Sequence, residues 1–262
     1  MSGESLSLAV TGAGGRMGQE VIAAAADREG VAVAVAVNRT PTDPVAGVAV
    51  EDADRLDELI ATAEPDVLVD FTGPESAVSY AETCADAGVP MVTGTTGFSE
   101  PQLDALTAAS ESIPVLKAPN FARGVAALRR AVRTAAAALP GYDVEVTETH
   151  HNAKRDAPSG TAASILDDVE SVREDLDERV HGREGDAPRE AGEIGVHARR
   201  AGDVTGEHEV LLAGNREVVE LTHRAGDRGV FAEGALDAAD WLADRDPGWY
   251  GFGDVLDAAA DA

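Results

Sequence analysis

The sequence contains very little lysine, cysteine or aromatic side chain. Only Lys117 and Lys154 are lysines, and arginine supplies the other nineteen basic residues. Cys84 is the single cysteine, so no internal disulfide can form, which indicates a reducing compartment such as the cytoplasm. No apolar run approaches the roughly 20 residues needed to cross a bilayer. The start of the chain also lacks the basic and apolar regions of a secretory signal, so no membrane partner is expected.

The charge balance is strongly acidic. The chain has 48 acidic and 21 basic residues, with a formal net charge of −27. Such a field repels nucleic acid and anionic membranes, so neither is expected as a partner. Dense carboxylates with so little lysine favour adaptation to a salt-rich cytoplasm, where 1 M salt screens the self-repulsion within roughly 3 Å. The alternative is an acidic protein without salt adaptation.

Strands and helices alternate through the first half of the chain. A short apolar run at 6–10 ends at a glycine cluster and precedes a helical stretch at about 19–26. The run 31–37 lacks polar alternation, which predicts a strand buried on both faces of a parallel sheet. Three further pairs follow, with strands at 67–71, 91–92 and 115–116 and helices near Ser76, after Pro101 and from Ala122. This alternation predicts a doubly wound α/β domain.

The rhythm changes after an alanine-rich helix that ends near Pro140. The segment 142–149 alternates, a helix follows from about Thr161, and the segments 193–199, 207–212 and 217–223 have no helices between them. Consecutive strands predict an antiparallel or mixed sheet, and therefore a second domain of the α+β class. The charged segment 167–191 is expected to be a helix followed by a mobile loop. Helical spacing returns at 230–244, with Trp241 in the apolar stripe as part of the core.

A glycine-rich loop stands where a dinucleotide pyrophosphate would bind, between the first strand and the first helix. Glycines let the backbone approach the phosphates, and the helix start offers free N–H groups with partial positive charge. The spacing is unusual, because Met17 stands at the third glycine position and Gly18 comes one residue later. The alternative is a tight turn that only packs helix on strand, which the flanking strand and helix disfavour. The expected cofactor contacts are Gly12, Ala13, Gly14, Gly15, Arg16 and Met17.

The residues that end the second strand indicate which nicotinamide cofactor is used. An acidic residue there bonds the ribose hydroxyls and repels a 2′-phosphate. This chain has Asn38-Arg39 instead, and a neutral amide beside a guanidinium accepts a phosphate. We therefore expect NADPH to be used at least as well as NADH. The alternative is that Arg39 is an ordinary solvated arginine.

Two further loops follow strands at the carboxyl edge of the same predicted sheet, where ligands bind in such folds. Their backbone and hydroxyl groups are candidates for the nicotinamide half of the site, although ordinary loops have similar compositions. The candidates are Gly94, Thr95 and Thr96 in one loop, and Ala118, Pro119, Asn120 and Phe121 in the other.

A polar stretch at 150–161 combines two histidines, a lysine and a helix start. Ser159 can cap a helix whose first N–H groups belong to Gly160 and Thr161, and such a terminus binds carboxylates. Lys154 adds a full positive charge. Together these groups suit a small anionic molecule, and a dicarboxylic acid in particular.

The two adjacent histidines cannot do the same job, because neighbouring side chains on an extended strand point to opposite sides. One of His150 and His151 can act as an acid while the other binds. The alternatives are surface or core histidines and a solvated lysine, although Lys154 is one of only two lysines in the chain. No metal is expected, because there is no His-Glu-x-x-His sequence and no cysteine cluster.

Together, these motifs resemble the dihydrodipicolinate reductase family, also called 4-hydroxy-tetrahydrodipicolinate reductases. The resemblance runs along the whole chain, and the His-His-x-x-Lys-x-Asp-Ala-Pro-Ser-Gly-Thr element is its most specific part. The chain departs from the family at Asn38, where an acidic residue is common, and at Ala122-Arg123-Gly124, where a serine-containing turn is usual. The similar segments are 12–18, 71–75, 94–97, 150–161, 192–195, 200–203, 206–208 and 231–235.

The resemblance implies NAD(P)H-dependent reduction of 4-hydroxy-tetrahydrodipicolinate, a cyclic dicarboxylate, to tetrahydrodipicolinate, with hydride delivered to ring carbon C4. This step lies on the route to diaminopimelate and lysine. By the same resemblance, His150 is the acid–base residue, Lys154 donates a proton or anchors charge, and His151, Gly160 and Thr161 bind substrate. The family's architecture implies a Rossmann-type cofactor domain at 1–121, completed by 231–262. It also implies a substrate and oligomerisation domain at 122–230 and a homotetramer joined through that domain's sheet.

Two other functions remain open. Another nicotinamide-dependent oxidoreductase acting on a small amino acid would share the cofactor domain but would not need the His-His-x-x-Lys element. A non-catalytic redox sensor would bind the cofactor without turnover, and would leave His150 and Lys154 without a role.

Overall fold

The computed structural model describes residues 5–40 and 42–260, with side chains through residue 258. The strands are β1 (Leu6–Thr11), β2 (Val31–Asn38), β3 (Glu51–Asp52), β4 (Val67–Asp70), β5 (Met91–Thr93), β6 (Pro114–Lys117), β7 (Asp143–His150), β8 (Glu178–His181), β9 (Glu193–Arg200), β10 (Glu207–Gly214), β11 (Glu217–Arg224) and β12 (Gly248–Tyr250). The helices are α1 (Arg16–Asp27), α2 (Leu56–Ala63), α3 (Pro74–Ala87), α4 (Glu100–Ser110), α5 (Arg123–Ala138), α6 (Gly160–Glu170), α7 (Gly229–Leu242) and α8 (Phe252–Ala260).

The chain divides into two compact units. One unit comprises the chain up to Phe121 together with the segment from Arg228 onward, and the other is Ala122–Asp227. Among the described residues, no helix is long and apolar enough to cross a membrane.

The first unit is built on a seven-stranded parallel sheet with the order β12-β6-β5-β4-β1-β2-β3. The direction of winding reverses between β1 and β4, so the carboxyl ends of these two strands flank a crevice. The middle strands are fully buried because helices cover both faces of the sheet. This architecture confirms the predicted doubly wound α/β fold.

Helix α1 begins at Arg16 rather than at about residue 19, and two further helices of this unit also begin earlier than the sequence predicted. Helix α3 begins at Pro74 rather than near Ser76, and α4 begins at Glu100 rather than after Pro101. Proline fits the first turn because its missing N–H would have no partner within the helix. In both helices the proline therefore lies within the first turn, and the helix begins at the proline or one residue before it.

The prediction that β2 is buried on both faces is wrong for the first half of the strand. Ala32 and Ala34 are exposed, whereas Val35, Ala36 and Val37 are buried. Strand β3 pairs only with the last two residues of β2, so the first half of β2 lies at the edge of the sheet.

The second unit contains a five-stranded mixed sheet with the order β11-β10-β7-β9-β8. Strand β10 is antiparallel to both neighbours, whereas β7, β9 and β8 run parallel. Helices α5 and α6 pack on one face, and their apolar side chains enclose a core with the inward residues of the strands. This unit confirms the predicted α+β character of the second half of the chain. Its core residues from the strands are Val144, Val146, Ile194, Val196, Val210 and Leu212.

The helix predicted within 167–191 is present, but the mobile loop predicted to follow it contains a strand. Helix α6 ends at Glu170, and β8 then joins the sheet parallel to β9. The sequence of β8, Glu-Arg-Val-His, has no apolar alternation, because β8 is an edge strand and is half-exposed. The short elements β3, α2, β12 and α8 were not predicted either, since each depends on contacts with distant parts of the chain.

Candidate active site

The glycine loop between β1 and α1 is packed too closely for side chains. A Cβ at Gly12 would lie 2.9 Å from the backbone oxygen of Phe71, and a Cβ at Gly18 would lie 2.2 Å from the backbone oxygen of Gly12. Gly18, one residue later than the usual third glycine, therefore allows the close packing of helix on strand. Because α1 begins at Arg16, the N–H groups of its first turn need partners outside the helix.

A cavity of about 430 Å³ opens at the carboxyl ends of β1, β2 and β4. Its lining includes Gly12, Gly15 and Arg39 from the predicted cofactor residues. Arg39 is exposed at the rim and also borders a neighbouring cavity of about 270 Å³. Of the other loop residues, Ala13 is buried, Gly14 and Met17 are half-buried, and Arg16 is exposed. Asn38, the neutral residue noted beside Arg39, also lines the cavity, as do Phe71, Thr72 and Gly73 from the family-like segment 71–75. The sequence did not single out the other lining residues as cofactor contacts, which are Thr40, Ser76 and Tyr80.

A fully buried carboxylate, Asp70, ties together the loops below this cavity. Its Oδ1 accepts hydrogen bonds from the hydroxyls of Thr11 at 2.9 Å and Thr72 at 2.5 Å. Its Oδ2 accepts from the hydroxyls of Thr93 and Thr95, both at 2.7 Å. Thr11, Asp70 and Thr93 are register partners on adjacent strands, so this network fixes the carboxyl ends of β1, β4 and β5 relative to one another.

The two later loops predicted to line the cofactor site are only partly open. Thr95 and Phe121 are buried, and the Phe121 ring packs edge-on against Phe71 at 5.7 Å between ring centroids. A Cβ at Gly94 would collide with the Phe71 ring. Of the remaining candidates, Ala118 is buried, Asn120 is half-buried, and Thr96 and Pro119 are exposed.

In the second unit, Glu148 on β7 is the centre of a buried cluster. Its side chain is 1% exposed. Oε2 contacts His150 Nδ1 at 2.6 Å and accepts from Arg200 Nη1 at 2.8 Å. Oε1 accepts from Arg200 Nη2 at 2.8 Å and from the backbone N–H of Ser159 at 3.1 Å. One carboxylate therefore links the predicted acid, His150, to the start of α6.

The other ring nitrogen of His150 faces a position without a side chain. A Cβ at Gly206 would lie 3.2 Å from His150 Nε2. Burial lowers the pKa of His150, and the hydrogen bond to Glu148 offsets this only in part. Burial acts to raise the pKa of Glu148, but the hydrogen bonds from Arg200 and His150 outweigh it and lower that pKa below its usual value. His150 is therefore neutral at pH 7 in the protein without ligands, while Glu148 is ionised.

The structure brings the remaining predicted substrate residues to the same end of β7. Lys154 is partly buried, and its Nζ lies 2.9 Å from Asp156 Oδ1. Helix α6 begins at Gly160, and Ser159 caps it by accepting the backbone N–H of Ala162 at 3.1 Å, as predicted. His151, Lys154 and Thr161 are half-exposed, and Gly160 is exposed.

His208 completes the cluster from strand β10. Its ring packs edge-on against His150 at 5.3 Å between centroids, and its Nε2 lies 3.1 Å from the hydroxyl of Ser159. Burial lowers the pKa of His208 to about 4, so this imidazole stays neutral. It supports the helix cap without adding charge to the site.

Sequence reasoning missed the roles of Asp70, Glu148, Arg200 and His208. Glu148 precedes His150 by two residues, and this spacing on a strand places both on one face, which was an available signal. Asp70, Arg200 and His208 reach their partners only through strand register. The part of the chain that the structure describes contains no group of three or more metal-ligating side chains.

The first unit has a parallel sheet with a glycine-lined cavity at its switch point, and the second unit carries a buried histidine beside a helix start. This combination defines the class of nicotinamide-dependent oxidoreductases with two units. Family models extend this conclusion. The model described as "Dihydrodipicolinate reductase, N-terminus" matches residues 6–121, and that described as "Dihydrodipicolinate reductase, C-terminus" matches residues 124–256. The chain belongs to the dihydrodipicolinate reductase family.

Individual relatives agree with this membership. The chain is 55% identical to the 4-hydroxy-tetrahydrodipicolinate reductase of Haloarcula marismortui, over 96% of this chain and 99% of the relative. It is 53% identical to that of Natronomonas pharaonis, over 96% of this chain and 100% of the relative. A dipicolinate-bound dihydrodipicolinate reductase from Paenisporosarcina sp. TG-14 has a similar structure, with a TM-score of 0.77, 28% identity and coverage of 96% and 99%.

Proposed function

We propose that the chain reduces 4-hydroxy-tetrahydrodipicolinate to tetrahydrodipicolinate with a nicotinamide cofactor, on the route to diaminopimelate and lysine. The observation that carries this proposal is the geometry around His150. A buried carboxylate holds Nδ1, Nε2 faces a glycine, and Lys154 and the start of α6 follow on the same stretch. This set suits an anionic substrate that must be protonated. The names of the relatives support the identity of the substrate.

The roles of the site residues follow from their positions. The start of α6 offers the N–H groups of Gly160 and Thr161 to a carboxylate. Lys154 supplies positive charge close to it, and His151 binds beside it. The net reaction consumes one proton as hydroxide leaves as water. His150, protonated in the complex with substrate, donates this proton from Nε2. The proton on Nδ1 stays on the imidazole, hydrogen-bonded to Glu148, throughout.

The first unit fits a dinucleotide, because Gly12 and Gly15 of its glycine loop line a cavity at the carboxyl ends of the strands, beside the start of α1. When bound, the reduced nicotinamide supplies the hydride. Gly12, Gly14, Gly15 and the start of α1 hold the pyrophosphate, and the loops after β5 and β6 hold the nicotinamide end. We assign the cofactor domain to 1–121 with 231–262, and the substrate domain to 122–230.

Arg39 decides the cofactor preference in this proposal. It lies at the rim of the cavity without an acidic residue at the end of β2, so a 2′-phosphate meets a guanidinium and no carboxylate. We expect Arg39→Ala to raise the KM for NADPH about tenfold or more, because a charged hydrogen bond contributes about 1.5–3 kcal/mol. The KM for NADH should change by less than about threefold, since NADH has no group for Arg39 to bind. Steady-state kinetics with both cofactors test this, and an NADPH preference untouched by the substitution would remove Arg39 from the site.

The reaction itself is tested by following nicotinamide absorbance with freshly made substrate. The proposal expects oxidation of NADPH that depends on both the substrate and the protein. Cofactor binding without turnover would favour a redox sensor.

Repeating the assay across salt concentrations tests the salt adaptation that we infer from a net charge of −27 and two lysines. Full activity in dilute buffer would contradict this adaptation.

We also propose that the chain works in the cytoplasm as a homotetramer joined through the sheet of the second unit. Helices α5 and α6 cover one face of that sheet. The other face carries the half-buried Leu211 and the exposed Val218, which is 56% exposed. Covering this face by a second copy would bury these apolar groups. The buried, unpaired Cys84 agrees with a reducing compartment.

A further inference from the structure

We infer that Glu148, counterbalanced by Arg200, is the positioning residue that sets the protonation state of His150. It holds the proton on Nδ1 so that Nε2 is the nitrogen that meets the substrate. The inference rests on the proposed function in one respect, because it takes His150 to be the proton donor. It goes further by naming the group that makes His150 competent.

The geometry leaves one arrangement of protons. An ionised carboxylate only accepts hydrogen bonds, so the 2.6 Å contact requires His150 Nδ1 to carry a hydrogen. In the neutral imidazole, Nε2 is then the unprotonated nitrogen. When His150 takes up a proton, it does so at Nε2, which lies beside Gly206, a residue with no side chain. Glu148 thereby directs each proton exchange to Nε2.

Arg200 determines how strongly Glu148 favours the imidazolium. Its guanidinium donates two hydrogen bonds to the carboxylate, both at 2.8 Å, and partly neutralises its charge. A carboxylate with no other partner would favour the imidazolium form of His150 more strongly. The charged pair with Arg200 weakens this pull, so the histidine can lose its proton during turnover. Arg200 and Glu148 therefore act on His150 in opposite directions.

The other groups around His150 are few. Lys154, from the loop after β7, opposes protonation of His150. His208, from β10, packs against the ring and is neutral. Asp156 is paired with Lys154 and belongs to the same loop. Among the described residues, Glu148 is thus the only carboxylate in direct contact with the imidazole.

Glu148→Gln is the isosteric test. Its amide oxygen can still accept from Ser159 and Arg200, which leaves the amide nitrogen, a donor, opposite His150 Nδ1. The Nδ1–H of a protonated His150 would then face the amide N–H group of the glutamine, and two donors cannot form a hydrogen bond. We expect kcat to fall on the order of 100-fold, within the range of acid–base contributions. The Kd for dipicolinate should change by less than about fivefold, because the start of α6 is kept.

The pH profile gives the direction of the effect. A proton donor is active below its pKa, so kcat falls as pH rises through the pKa of His150 in the complex. Glu148→Gln destabilises the imidazolium and should move this limb about one unit to lower pH. Arg200→Gln frees the carboxylate and should move the limb about one unit to higher pH. Opposite shifts cannot come from general loosening of the unit, whereas shifts in the same direction would overturn the inference.

Glu145 provides a matched control on the same strand. Its carboxylate contacts His197 Nε2 at 2.7 Å and accepts from Arg189, so it forms a second histidine, glutamate and arginine trio on the opposite face of the sheet. Because this face is proposed to meet a second copy, the oligomeric state of Glu145→Gln is checked first; with that state unchanged, the variant should change kcat by less than about twofold and leave the limb in place. An equal loss in both variants would show that the effect is not specific to His150.

A double-mutant cycle separates this inference from the proposed function. In a His150→Asn background, Glu148→Gln should lower kcat less than about threefold further, because the two residues act as one unit. Full additivity would overturn the inference. If His150→Asn alone kept wild-type turnover, the proposed acid would be wrong instead. If Glu148→Gln did not fold, two other measurements would still test the inference. Arg200→Gln should shift the limb to higher pH, and the ¹⁵N signals of His150 in the wild type should show the hydrogen on Nδ1.

Discussion

His150→Asn should lower kcat by roughly 10²–10⁴-fold, the range that a positioned acid contributes. The physical reason is that Nδ1 is held by Glu148, which leaves Nε2, beside Gly206, as the nitrogen that can exchange a proton with a ligand. Asparagine can keep a donor near Glu148 but has no proton to give at the position of Nε2. The KM for substrate should change little, since the carboxylate-binding groups lie elsewhere. Steady-state kinetics with saturating cofactor measure both quantities.

His197→Asn is the control for this prediction. His197 also contacts a glutamate, but on the opposite face of the neighbouring strand β9. Because this face is proposed to be covered in the tetramer, the oligomeric state of His197→Asn is checked first; with that state unchanged, kcat should stay within about twofold of the wild type. Near-wild-type turnover in His150→Asn, or equal losses in both variants, would contradict the assignment of His150 as the acid.

Lys154→Met should lower kcat/KM by roughly 10–100-fold, through both a lower kcat and a higher KM for substrate, because a hydrogen bond to a charged group contributes about 1.5–3 kcal/mol. Lys154 is partly buried and pairs with Asp156 at 2.9 Å, but Asp156 is exposed, so a substrate carboxylate can compete for the charge of Lys154. Methionine keeps the aliphatic stem and removes the charge. Binding of dipicolinate, measured by calorimetry, should weaken in parallel.

Arg155→Met provides the comparison, because Arg155 is the adjacent exposed cation and points into solvent. Removing it should alter the KM by less than about threefold and lower the salt dependence only slightly. If both substitutions weakened dipicolinate binding equally, the effect would come from net charge, and Lys154 would lose its specific role.

The parts of the fold with local signals were predicted well. The alternation of apolar strands with helices predicted the doubly wound sheet, and the order Ser159-Gly160 predicted the capped start of α6. Strand β8 was missed because its charged residues form a strand only by pairing with β9. The exposed half of β2 was missed because the neighbour of a strand cannot be read from its own residues.

The residues of the site divide in the same way, into those with a local signal in the sequence and those without one. His150, Lys154 and Gly160 lie within one stretch, so their grouping could be seen in the sequence. Arg200 is fifty residues from His150 and reaches Glu148 because β9 runs parallel to β7 in a register that pairs His150 with Arg200. Asp70 likewise meets its threonines only through the register of three strands. The contacts of these supporting residues depend on how the strands pair, so they could not be predicted before the fold was known.

The central claim is that a hydride passes from the nicotinamide to carbon C4 of the ring of 4-hydroxy-tetrahydrodipicolinate. The most direct measurement uses NADPH deuterated at the transferred position, with NMR of the product formed by the wild-type protein. The account predicts one deuterium at C4 of tetrahydrodipicolinate, in an amount equal to the cofactor oxidised. Cofactor oxidation without deuterium at C4, or no turnover of this substrate at any salt concentration, would contradict it.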